Sequence, residues 1–497
     1  MSKTFKIGTR GSLLAVTQCT LIAQEMTKRT GAKFELVKIV TQGDAQTDKP
    51  LWQLDGKDFF TKELDHALLA NEVDLVVHSY KDLGSDRPNG IGLGAITERA
   101  YANDILLIRK DNISKIKDKE IFNVGTSSPR RIVNSEISLI DYLPGAKENL
   151  RVKCSMLRGN VNTRIQKLKD GNYDAIILAL AGLERLANKE DSKAILEELL
   201  DGLTFMVMPQ KIFPSSCSQG ALAIEYNKNE NNSEVLNILK SVHCDKTALE
   251  VKNERALFQT YGGGCHLAVG IHTQTHKGFL LDIEKGMHGD KIINKTTLHG
   301  SRLHDLSNKN LFLPIGDKDK LVHKEPLNPK LEDNKAYFVT SSYCLDAVKN
   351  LKTSVLYASG SRTMRKLVSQ GQWVNASADS LGHKEISKIN SSLAVRIMTK
   401  DVELIVLSHE EANSDIGNVV ACYKRVVRQE KMDLSSFEAF YWSSYFQYQT
   451  YLNQYPEIKN KLHACGLGKT YDQFEENGIK VTPIESMSKL KETCRII

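Results

Sequence analysis

The first 225 residues of this 497-residue chain alternate strand-like and helix-like segments, and this alternation restricts the fold more than any other feature. Residues 73–78 (VDLVVH) form a nearly continuous apolar run, which is typical of a strand covered on both faces. Further strand-like runs lie at 34–41, 105–109 and 174–180, with helical patterns between them. The pattern predicts an open α/β architecture, in which ligands bind beyond the carboxyl ends of the strands.

Composition excludes several classes of protein. Apolar residues make up 41% and charged residues 26%, which is ordinary for a globular chain and excludes wholesale disorder. The net charge of +7 is too small to indicate a nucleic-acid partner. No apolar run approaches the roughly 20 residues of a membrane span, and the N-terminus lacks a secretory signal, so we expect no membrane partner. The nine Cys are scattered without CxxC pairs, which favours a reducing cytoplasm and predicts no metal site.

Two strand-to-helix turns resemble each other. One spans residues 7–12 (IGTRGS) and the other spans residues 124–131 (VGTSSPRR). Each leads a strand through Gly-Thr into a helix, with Ser12 as the expected cap of the first helix and Pro129 suited to the first position of the second. The repetition predicts two similar lobes that face each other across a cleft.

Arginine is concentrated in the same part of the chain, which holds 11 of the 19 Arg in its first 185 residues. Most of the notable ones follow a strand end or begin a helix: Arg10, Arg130, Arg131, Arg158, Arg164 and Arg185. The neighbouring hydroxyls are those of Thr126, Ser127 and Ser128. Guanidinium forks and exposed helix N-termini suit a ligand that bears several carboxylates. The alternative is a solvated basic surface with ordinary helix caps.

Two further segments can carry chemistry. In residues 78–82 (HSYKD), Asp82 stands beside Lys81 at the end of the most apolar strand, where a carboxylate can stabilise a cation or pass a proton. In residues 262–265 (GGGC), three Gly permit positive φ angles and can push the Cys265 thiol into a crevice as a nucleophile. The alternatives are a surface Lys-Asp turn and a free Cys on a flexible loop.

These segments together resemble the porphobilinogen deaminase (hydroxymethylbilane synthase) family over about 310 residues. The collinear motifs are GTRGS, GDAQTD, GKDFFTKELDHALL, VDLVVHSYKD, VGTSSPRR, LRGNVNTR, YDAIILALAGLERL, SQGALAIE and NERALFQTYGGGCHLAVG. The resemblance implies two lobes similar to a periplasmic binding protein and a small third α+β domain. The implied domains are 1–103 with 205–228, then 104–204, and then 229–312 with the cofactor Cys.

The resemblance also implies an activity and the residues behind it. A dipyrromethane cofactor is expected on Cys265 through a thioether, and porphobilinogen units are added to it with loss of ammonia until hydroxymethylbilane is released. Asp82 is the expected catalytic carboxylate, which stabilises cationic pyrroles and shuttles protons. The expected cofactor-binding residues are Lys81, Arg130, Arg131, Arg158, Thr126, Ser127 and Ser128. The expected substrate-binding residues are Arg10, Ser12, Arg164, Arg185 and Gln219.

Some positions depart from the family pattern. Pro129, Gly84-Ser85, Cys217-Ser218, Gly262 and Ala268 replace residues that the family usually has there. None of these changes removes a catalytic group, so they bear on loop geometry rather than on the reaction. Asp44 and residues 55–60 match the family's mobile loop over the site. The deaminase part is expected to be a cytoplasmic monomer whose partners are porphobilinogen and the growing polypyrrole chain.

The last 163 residues contain an internal echo. Residues 338–342 (FVTSS) and 440–444 (FYWSS) each begin a strand, turn and helix succession, which predicts two related α/β lobes after a polar linker at 313–334. The region 335–497 resembles uroporphyrinogen-III synthase, an enzyme that cyclises hydroxymethylbilane. The candidate site residues by this resemblance are Tyr423, Ser443, Thr363 and Thr470.

Several alternatives stay open at this point. The C-terminal region can be an active synthase, or an inactive domain kept for stability or for catching the released product. A tethered acceptor would benefit from a high effective concentration, because the bilane cyclises spontaneously to the wrong isomer. The whole chain can also be a non-catalytic, two-lobed protein that binds a polyanion.

Overall fold

A computed structural model of the chain describes residues 3–41, 61–84, 86–229, 233–264 and 266–496. The chain divides into two compact units. The N-terminal unit comprises Met1–Ile140, Glu148–Thr273 and Glu284–Asn294. The C-terminal unit comprises Asp141–Lys147, Gln274–Ile283 and Lys295–Ile497.

The first sheet of the N-terminal unit holds the strand that leads into the first Gly-Thr turn. Its strands are β1 (Thr4–Arg10), β2 (Lys33–Ile39), β3 (Leu75–Ser79), β4 (Ile91–Ile96) and β10 (Leu222–Asn227). They lie in the order β2–β1–β3–β10–β4. The strands β1, β2 and β3 run parallel, whereas β10 is antiparallel to both of its neighbours. The carboxyl ends of the three parallel strands therefore share one edge of the sheet.

The second sheet repeats this arrangement. Its strands are β5 (Asp104–Arg109), β6 (Ile121–Gly125), β7 (Arg151–Ser155), β8 (Ala175–Ala179) and β9 (Leu203–Val207), in the order β7–β6–β8–β5–β9. Again three neighbouring strands run parallel, and the fourth, β5, is antiparallel to both neighbours. In each sheet the strand before the Gly-Thr turn is the second in the order. The predicted α/β fold class is confirmed, and the two similar turns occupy equivalent places in two similar sheets.

The helices of the N-terminal unit follow the predicted alternation. They are α1 (Leu13–Thr30), α2 (Lys62–Leu69), α3 (Lys110–Ile113), α4 (Pro129–Ser138), α5 (Val161–Lys169), α6 (Leu180–Ala187), α7 (Glu190–Leu200), α8 (Ser233–Val242) and α9 (Asp245–Thr260). Helix α1 packs Cys19, Ile22 and Met26 into a core with Ile7 and Leu75 of the first sheet. This burial of the apolar face of α1 fixes the direction in which the chain leaves the first Gly-Thr turn.

Three long strands form a sheet of their own. They are β11 (Ala268–His276), β12 (Phe279–His288) and β13 (Lys291–His299), hydrogen-bonded in that order. Gly270 in β11 lies so close to another segment that an added Cβ would be 2.4 Å from the carbonyl oxygen of Pro214. Because that atom belongs to the backbone, only glycine fits at position 270 without a shift of the chain.

The C-terminal unit contains two further sheets, as the internal echo predicts. The first has the order β23–β22–β21–β14–β24 and the second has the order β15–β20–β19–β16–β17–β18. Their strands are β14 (Asn310–Phe312), β15 (Val322–Pro326), β16 (Ala336–Val339), β17 (Val355–Ala358), β18 (Ala376–Ser377), β19 (Leu404–His409), β20 (Asn418–Val427), β21 (Ala439–Trp442), β22 (Leu462–Gly466), β23 (Thr482–Ile484) and β24 (Arg495–Ile496). The helices are α10 (Leu345–Val348), α11 (Ser361–Ser369), α12 (His383–Asn390), α13 (Leu393–Thr399), α14 (Tyr445–Gln454), α15 (Lys469–Glu476) and α16 (Met487–Thr493).

The structure differs from the predicted linker at 313–334. Strand β15 lies within it and pairs antiparallel with β20 from Val322 to Pro326. Just before this stretch, β14 pairs with β21 and β24. The strand β15 has the sequence VHKEP and lies at the edge of its sheet. Because an edge strand can be polar, β15 shows no apolar periodicity that would predict a strand. The boundaries of the other predicted domains stay predictions.

Candidate functional site

The first Gly-Thr turn is closed by a helix cap, as predicted. Arg10 is the last residue of β1 and is half-buried. The Ser12 hydroxyl accepts a hydrogen bond from the backbone N–H of Ala15 at 3.3 Å, which satisfies one free donor of the α1 N-terminus. The cap fixes the chain between the end of the strand and the start of the helix.

The second turn is held by its hydroxyls. Pro129 begins α4, as predicted. Thr126 Oγ1 accepts from the N–H of Ser128 at 3.3 Å, while the Ser127 hydroxyl donates to the Leu157 carbonyl at 2.8 Å and accepts from the Leu157 N–H at 3.1 Å. Ser127 therefore ties the turn to the loop that follows β7. These hydroxyls stabilise the shape of the turn in the structure.

Arg130 and Arg131 are buried and share one carboxylate, that of Asp104. Arg131 Nε and Nη2 lie 3.1 and 2.7 Å from the Asp104 oxygens, and Arg130 Nη1 lies 2.8 Å from Oδ2. Burial alone would raise the pKa of Asp104, but the two guanidiniums outweigh it and hold that pKa well below its usual range. Two cations against one anion leave a net positive charge at the start of α4.

Gln219 connects this pair to the predicted catalytic turn. Its amide nitrogen donates to Asp104 Oδ1 at 2.9 Å and to the Ala102 carbonyl at 2.7 Å. Its amide oxygen lies 3.5 Å from Lys81 Nζ, at the limit of a hydrogen bond. Gln219 is almost fully buried, so its position is fixed by the protein. The structure thus brings Lys81, Gln219, Asp104 and the arginine pair into one group.

Lys81 and Asp82 belong to a short 3-10 turn directly after β3, and both side chains are solvent-exposed. Part of the Lys81 side chain reaches solvent, but the protein around it partly desolvates the ammonium group and lowers its pKa, while the Asp82 carboxylate opposes the shift. An ammonium group that is desolvated in this way is stabilised by a further anion.

Arg164 and Arg185 complete the cationic surroundings of Asp82. Burial lowers the pKa of each guanidinium to about 10, and the Asp82 carboxylate partly offsets the shift in both cases. Arg185 Nη2 donates to the Gly220 carbonyl at 2.8 Å, and Arg164 Nε donates to the Gly159 carbonyl at 2.7 Å. Arg158 lies close enough to Arg164 to lower its pKa further. The convergence of these side chains on Asp82 agrees with a site for carboxylate-bearing ligands.

Some predicted residues fall outside the described part of the chain. Cys265 is one of them, and Asp44 and residues 55–60 are the others. The three glycines before Cys265 are described, and their φ angles are +85°, +62° and +97°. A Cβ on Gly264 would lie 2.8 Å from Cε1 of His266. The expectation that this segment needs glycine at left-handed backbone positions is confirmed.

A hydrogen bond joins two of the four C-terminal candidates. Thr470 Oγ1 donates to the Ser443 carbonyl at 3.3 Å, so these two predicted residues are neighbours. Tyr423 instead packs against Tyr343, with ring centroids 5.4 Å apart, and the Thr363 hydroxyl lies 3.1 Å from that of Ser359. Tyr423 is 7% exposed, and burial raises its pKa to about 12. Its hydroxyl is therefore protonated at neutral pH.

The sequence analysis did not identify the acidic residues that neutralise buried arginines of the N-terminal unit. Asp104 stands directly before the apolar run ILLI, and a charged residue at the start of so buried a strand was the available signal. A second group that the sequence did not indicate consists of Asp65, His78 and Glu225. Within the described ranges, it is the one cluster with three potential metal ligands. Arg87 donates to both carboxylates and supplies the positive charge there.

Within the ranges that the structure describes, no helix combines the length and the apolarity needed to cross a membrane.

Among solved structures, the chain is similar to a probable amino-acid ABC transporter extracellular-binding protein from Bacillus subtilis. That alignment has a TM-score of 0.27 and 14% identity, and it covers 52% of this chain and 96% of the other.

Sequence comparison gives a definite relationship. Residues 5–235 match the family model described as "Porphobilinogen deaminase, dipyromethane cofactor binding domain". The porphobilinogen deaminase of Gloeobacter violaceus is 35% identical over 279 residues, which are 55% of this chain and 77% of that protein. The enzyme of Trichlorobacter lovleyi is 37% identical and is covered to 84%, and that of Bacillus subtilis is 37% identical and is covered to 78%.

The matched range spans both Gly-Thr turns, the Asp82 turn and the buried arginines. The cofactor of the family domain is dipyrromethane, whose carboxylates suit the cationic surroundings described above. The chain belongs to the porphobilinogen deaminase family.

Proposed function

We propose that this protein is a hydroxymethylbilane synthase, which condenses porphobilinogen with loss of ammonia into a linear tetrapyrrole. The observation that carries the proposal is the position of Asp82 among Lys81, Arg164 and Arg185, each of which has a pKa lowered by desolvation. Cations in this state are stabilised by ligand carboxylates, and porphobilinogen bears an acetate and a propionate. A cytoplasmic location and a monomeric deaminase part complete the proposal.

The residues fit a bound dipyrromethane. The net positive charge of the Arg130, Arg131 and Asp104 group suits its carboxylates, and the positive φ angles of Gly262 to Gly264 lie directly before Cys265 in the sequence. When bound through Cys265, the dipyrromethane supplies the pyrrole carbon to which the first substrate unit is joined. Arg158 and the turn at Thr126 to Ser128 would hold its side chains.

Asp82 has the central chemical role in this proposal. When the amino nitrogen of the aminomethyl group of porphobilinogen leaves as ammonia, the methylene carbon stays on the pyrrole, positive charge develops there, and the Asp82 carboxylate stabilises it. Its oxygens also accept and return the proton of the reacting pyrrole as a general base and acid. Arg10, Ser12, Arg164 and Arg185 orient the substrate carboxylates. Gln219 offers its amide oxygen to the Lys81 ammonium group at 3.5 Å.

Intact mass and turnover test this proposal together. The purified chain is expected to be heavier than its sequence by one dipyrromethane, and Cys265→Ser is expected to lose that mass. Asp82→Asn is expected to keep the fold and to lower the rate of bilane formation by about 10²–10⁴-fold, the usual contribution of a general acid–base group. Asp111→Asn is the matched control, because Asp111 is exposed and pairs with Lys115. Wild-type chain without an adduct, together with full activity in Asp82→Asn, would contradict the proposal.

We further propose that the C-terminal region, residues 335–497, cyclises the released hydroxymethylbilane to uroporphyrinogen III. Two α/β sheets support this assignment, with Ser443 directly after β21, Thr363 and Thr470 in the first turns of α11 and α15, and Tyr423 in the middle of β20. The alternative is an inactive domain that stabilises the chain or holds the product.

The isomers of the product decide between these alternatives. Porphobilinogen is supplied, the products are oxidised, and the type I and type III uroporphyrins are separated. Cyclisation by the chain predicts the type III isomer, with a smaller type III share in Tyr423→Phe at an unchanged rate of bilane formation. Type I alone from the wild-type chain would show that this region does not cyclise the bilane.

A further inference from the structure

Two cations lie side by side on one face of the β15–β20 pair. Lys324 and Arg425 are directly opposite each other in the antiparallel register. On the other face the next pair is Glu325 and Lys424, whose charged groups form a complementary contact of 3.0 Å. Like charges directly opposite each other destabilise a sheet, whereas opposite charges stabilise it. The same two strands therefore carry an ordinary ion pair on one face and an unfavourable pair on the other.

Two acidic residues, Glu411 and Asp319, lie near this like-charge pair. Arg425 pairs with Glu411 and stacks on Phe446 at 3.8 Å from the ring centroid. Lys324 lies 4.5 Å from the Tyr343 ring centroid. Its pKa is lowered by burial and by Arg425, although the carboxylate of Asp319 acts in the opposite direction. Lys324 is thus held in surroundings that favour a further anion.

His409, the last residue of β19, lies beside the same cations. Burial lowers its pKa to about 4, and Arg425, Lys469 and Lys324 add to the shift while Glu411 opposes it. The ring is therefore neutral at pH 7. Among the residues that the structure describes, its Nδ1 and the Nε of Arg425 are buried without a hydrogen-bond partner. Buried polar atoms without a protein partner are rare in folded proteins, and ordered water, an ion or a ligand is what satisfies them.

Aromatic rings border the cations. The Tyr343 and Tyr423 rings lie 5.4 Å apart, and the His409 and Tyr423 rings lie 6.1 Å apart. Together with Phe446 under Arg425, they offer apolar surface next to positive charge. A small inorganic anion would use only the charges. A ligand with unsaturated rings and carboxylate side chains would use both.

We infer that Lys324, Arg425 and His409 form a binding site in the C-terminal unit for the carboxylates of a ring-bearing polyanion. The inference deepens the proposed function, because it rests on a product of that chemical class being released by the same chain. Lys324 and Arg425 anchor carboxylates, His409 offers a neutral nitrogen, and Tyr343 and Tyr423 contact the rings. None of these three polar residues belongs to the deaminase site.

The test uses the full chain and uroporphyrin I, a stable fluorescent octacarboxylate, as the probe. The double variant Lys324→Gln with Arg425→Gln is expected to weaken binding at least about tenfold. Lys424→Gln is the matched control, since it removes one cation from the opposite face of the same strand, and it is expected to change the affinity less than about twofold. Arg164→Gln identifies any signal that arises from uroporphyrin in the deaminase site.

Further measurements distinguish a failure of the proposed binding site from a failure of the proposed cyclisation. The rate of bilane formation is expected to be the same in the wild type and in Lys324→Gln. The urea midpoint of Lys324→Gln is expected to be equal or slightly higher, because one of two opposed like charges is removed. Arg425→Lys is expected to retain most of the binding. Equal affinity in the wild type and the double variant, or an equal loss in Lys424→Gln, would overturn the site. If binding is lost in the double variant while the wild type yields only type I uroporphyrin, the site stands and cyclisation fails. Type III formation with unchanged binding in the double variant overturns the site and leaves cyclisation standing.

Discussion

Arg131 donates two hydrogen bonds to the Asp104 carboxylate, from Nε to Oδ2 at 3.1 Å and from Nη2 to Oδ1 at 2.7 Å. The carboxylate is 1% exposed and is also shared with Arg130. Removal of one partner from a buried ion pair is costly because it leaves the other charge uncompensated. Asp104 is therefore the residue that allows two guanidiniums to be placed next to each other inside the N-terminal unit.

We expect Asp104→Asn to destabilise the protein by about 3–5 kcal/mol, since two buried guanidiniums then lack a counter-ion. Urea unfolding of both chains measures the difference in free energy. Asp111→Asn breaks an exposed pair with Lys115 and is expected to cost about 0.5 kcal/mol or less. Equal midpoints for Asp104→Asn and the wild type would show that the buried pair does not stabilise the fold.

The same pair predicts a pH dependence. The pKa of Asp104 is held below its unfolded value of about 3.9, so its contribution is complete above that pH and is lost as the pH falls further. The difference in unfolding free energy between the wild type and Asp104→Asn is expected to be constant from about pH 8 to pH 5. It should begin to shrink only below about pH 4. A difference that disappears already near pH 6 would contradict the depressed pKa.

His463 predicts acid sensitivity of the C-terminal unit. It is buried, and its Nδ1 accepts a hydrogen bond from Trp442 Nε1 at 3.1 Å. Burial lowers its pKa to about 4, so its stabilising effect is complete above about pH 6.5 and is lost as the pH falls towards 4. The loss amounts to about 3 kcal/mol, at about 1.4 kcal/mol per pH unit.

Urea midpoints at pH 7.5 and pH 5, followed by tryptophan fluorescence, measure this effect. His463→Gln is expected to lower the midpoint at pH 7.5 and to reduce the change between the two pH values. His304→Gln is the control, because the His304 side chain is 80% exposed. An equal pH response in wild type and His463→Gln would exclude His463 as the source.

Gly270→Ala is expected to affect both stability and the candidate site. An added Cβ would meet the Pro214 carbonyl, which also accepts from Arg130 Nη1 at 2.8 Å. Overpacking against backbone costs about 1–3 kcal/mol, and movement of that carbonyl would shift Arg130. We expect a lower urea midpoint and a higher KM for porphobilinogen. In Gly182→Ala, where the nearest atom would be 3.7 Å away, stability should be unchanged or slightly higher.

Cysteine alkylation provides an independent check of the thioether. Burial raises the pKa of Cys19, Cys217 and Cys465 to about 12, so their thiols should react slowly with iodoacetamide in the native protein at pH 7.5. After denaturation, eight of the nine cysteines should react if Cys265 is blocked. Intact mass counts the modified residues, and nine additions to the wild-type chain would rule out a thioether.

Local sequence was sufficient for much of the fold. Ser12 caps α1 and Pro129 opens α4, as the sequence predicts. These features depend on residues a few positions apart, where capping, proline geometry and apolar spacing act directly. The strand β15 was missed for the opposite reason, since an edge strand buries little and shows no apolar period.

The residues around Asp82 show where sequence reasoning stops. The sequence motifs identified Lys81, Arg130, Arg131 and Gln219 separately. No local pattern indicated that Asp104 contacts Arg131 and Gln219, because it lies 27 positions before the first and 115 before the second. Such contacts depend on the order of strands in the sheet, which brings β5 between β8 and β9.

The sequence by itself determined the α/β class, the family and the residues that can bind carboxylates. Only the tertiary structure decided which charges compensate each other, as with Asp104 beneath two arginines, and which do not, as with Lys324 opposite Arg425. The physical reason is that propensity acts between neighbours along the chain, whereas burial and charge pairing act between residues that only the folded sheet brings together.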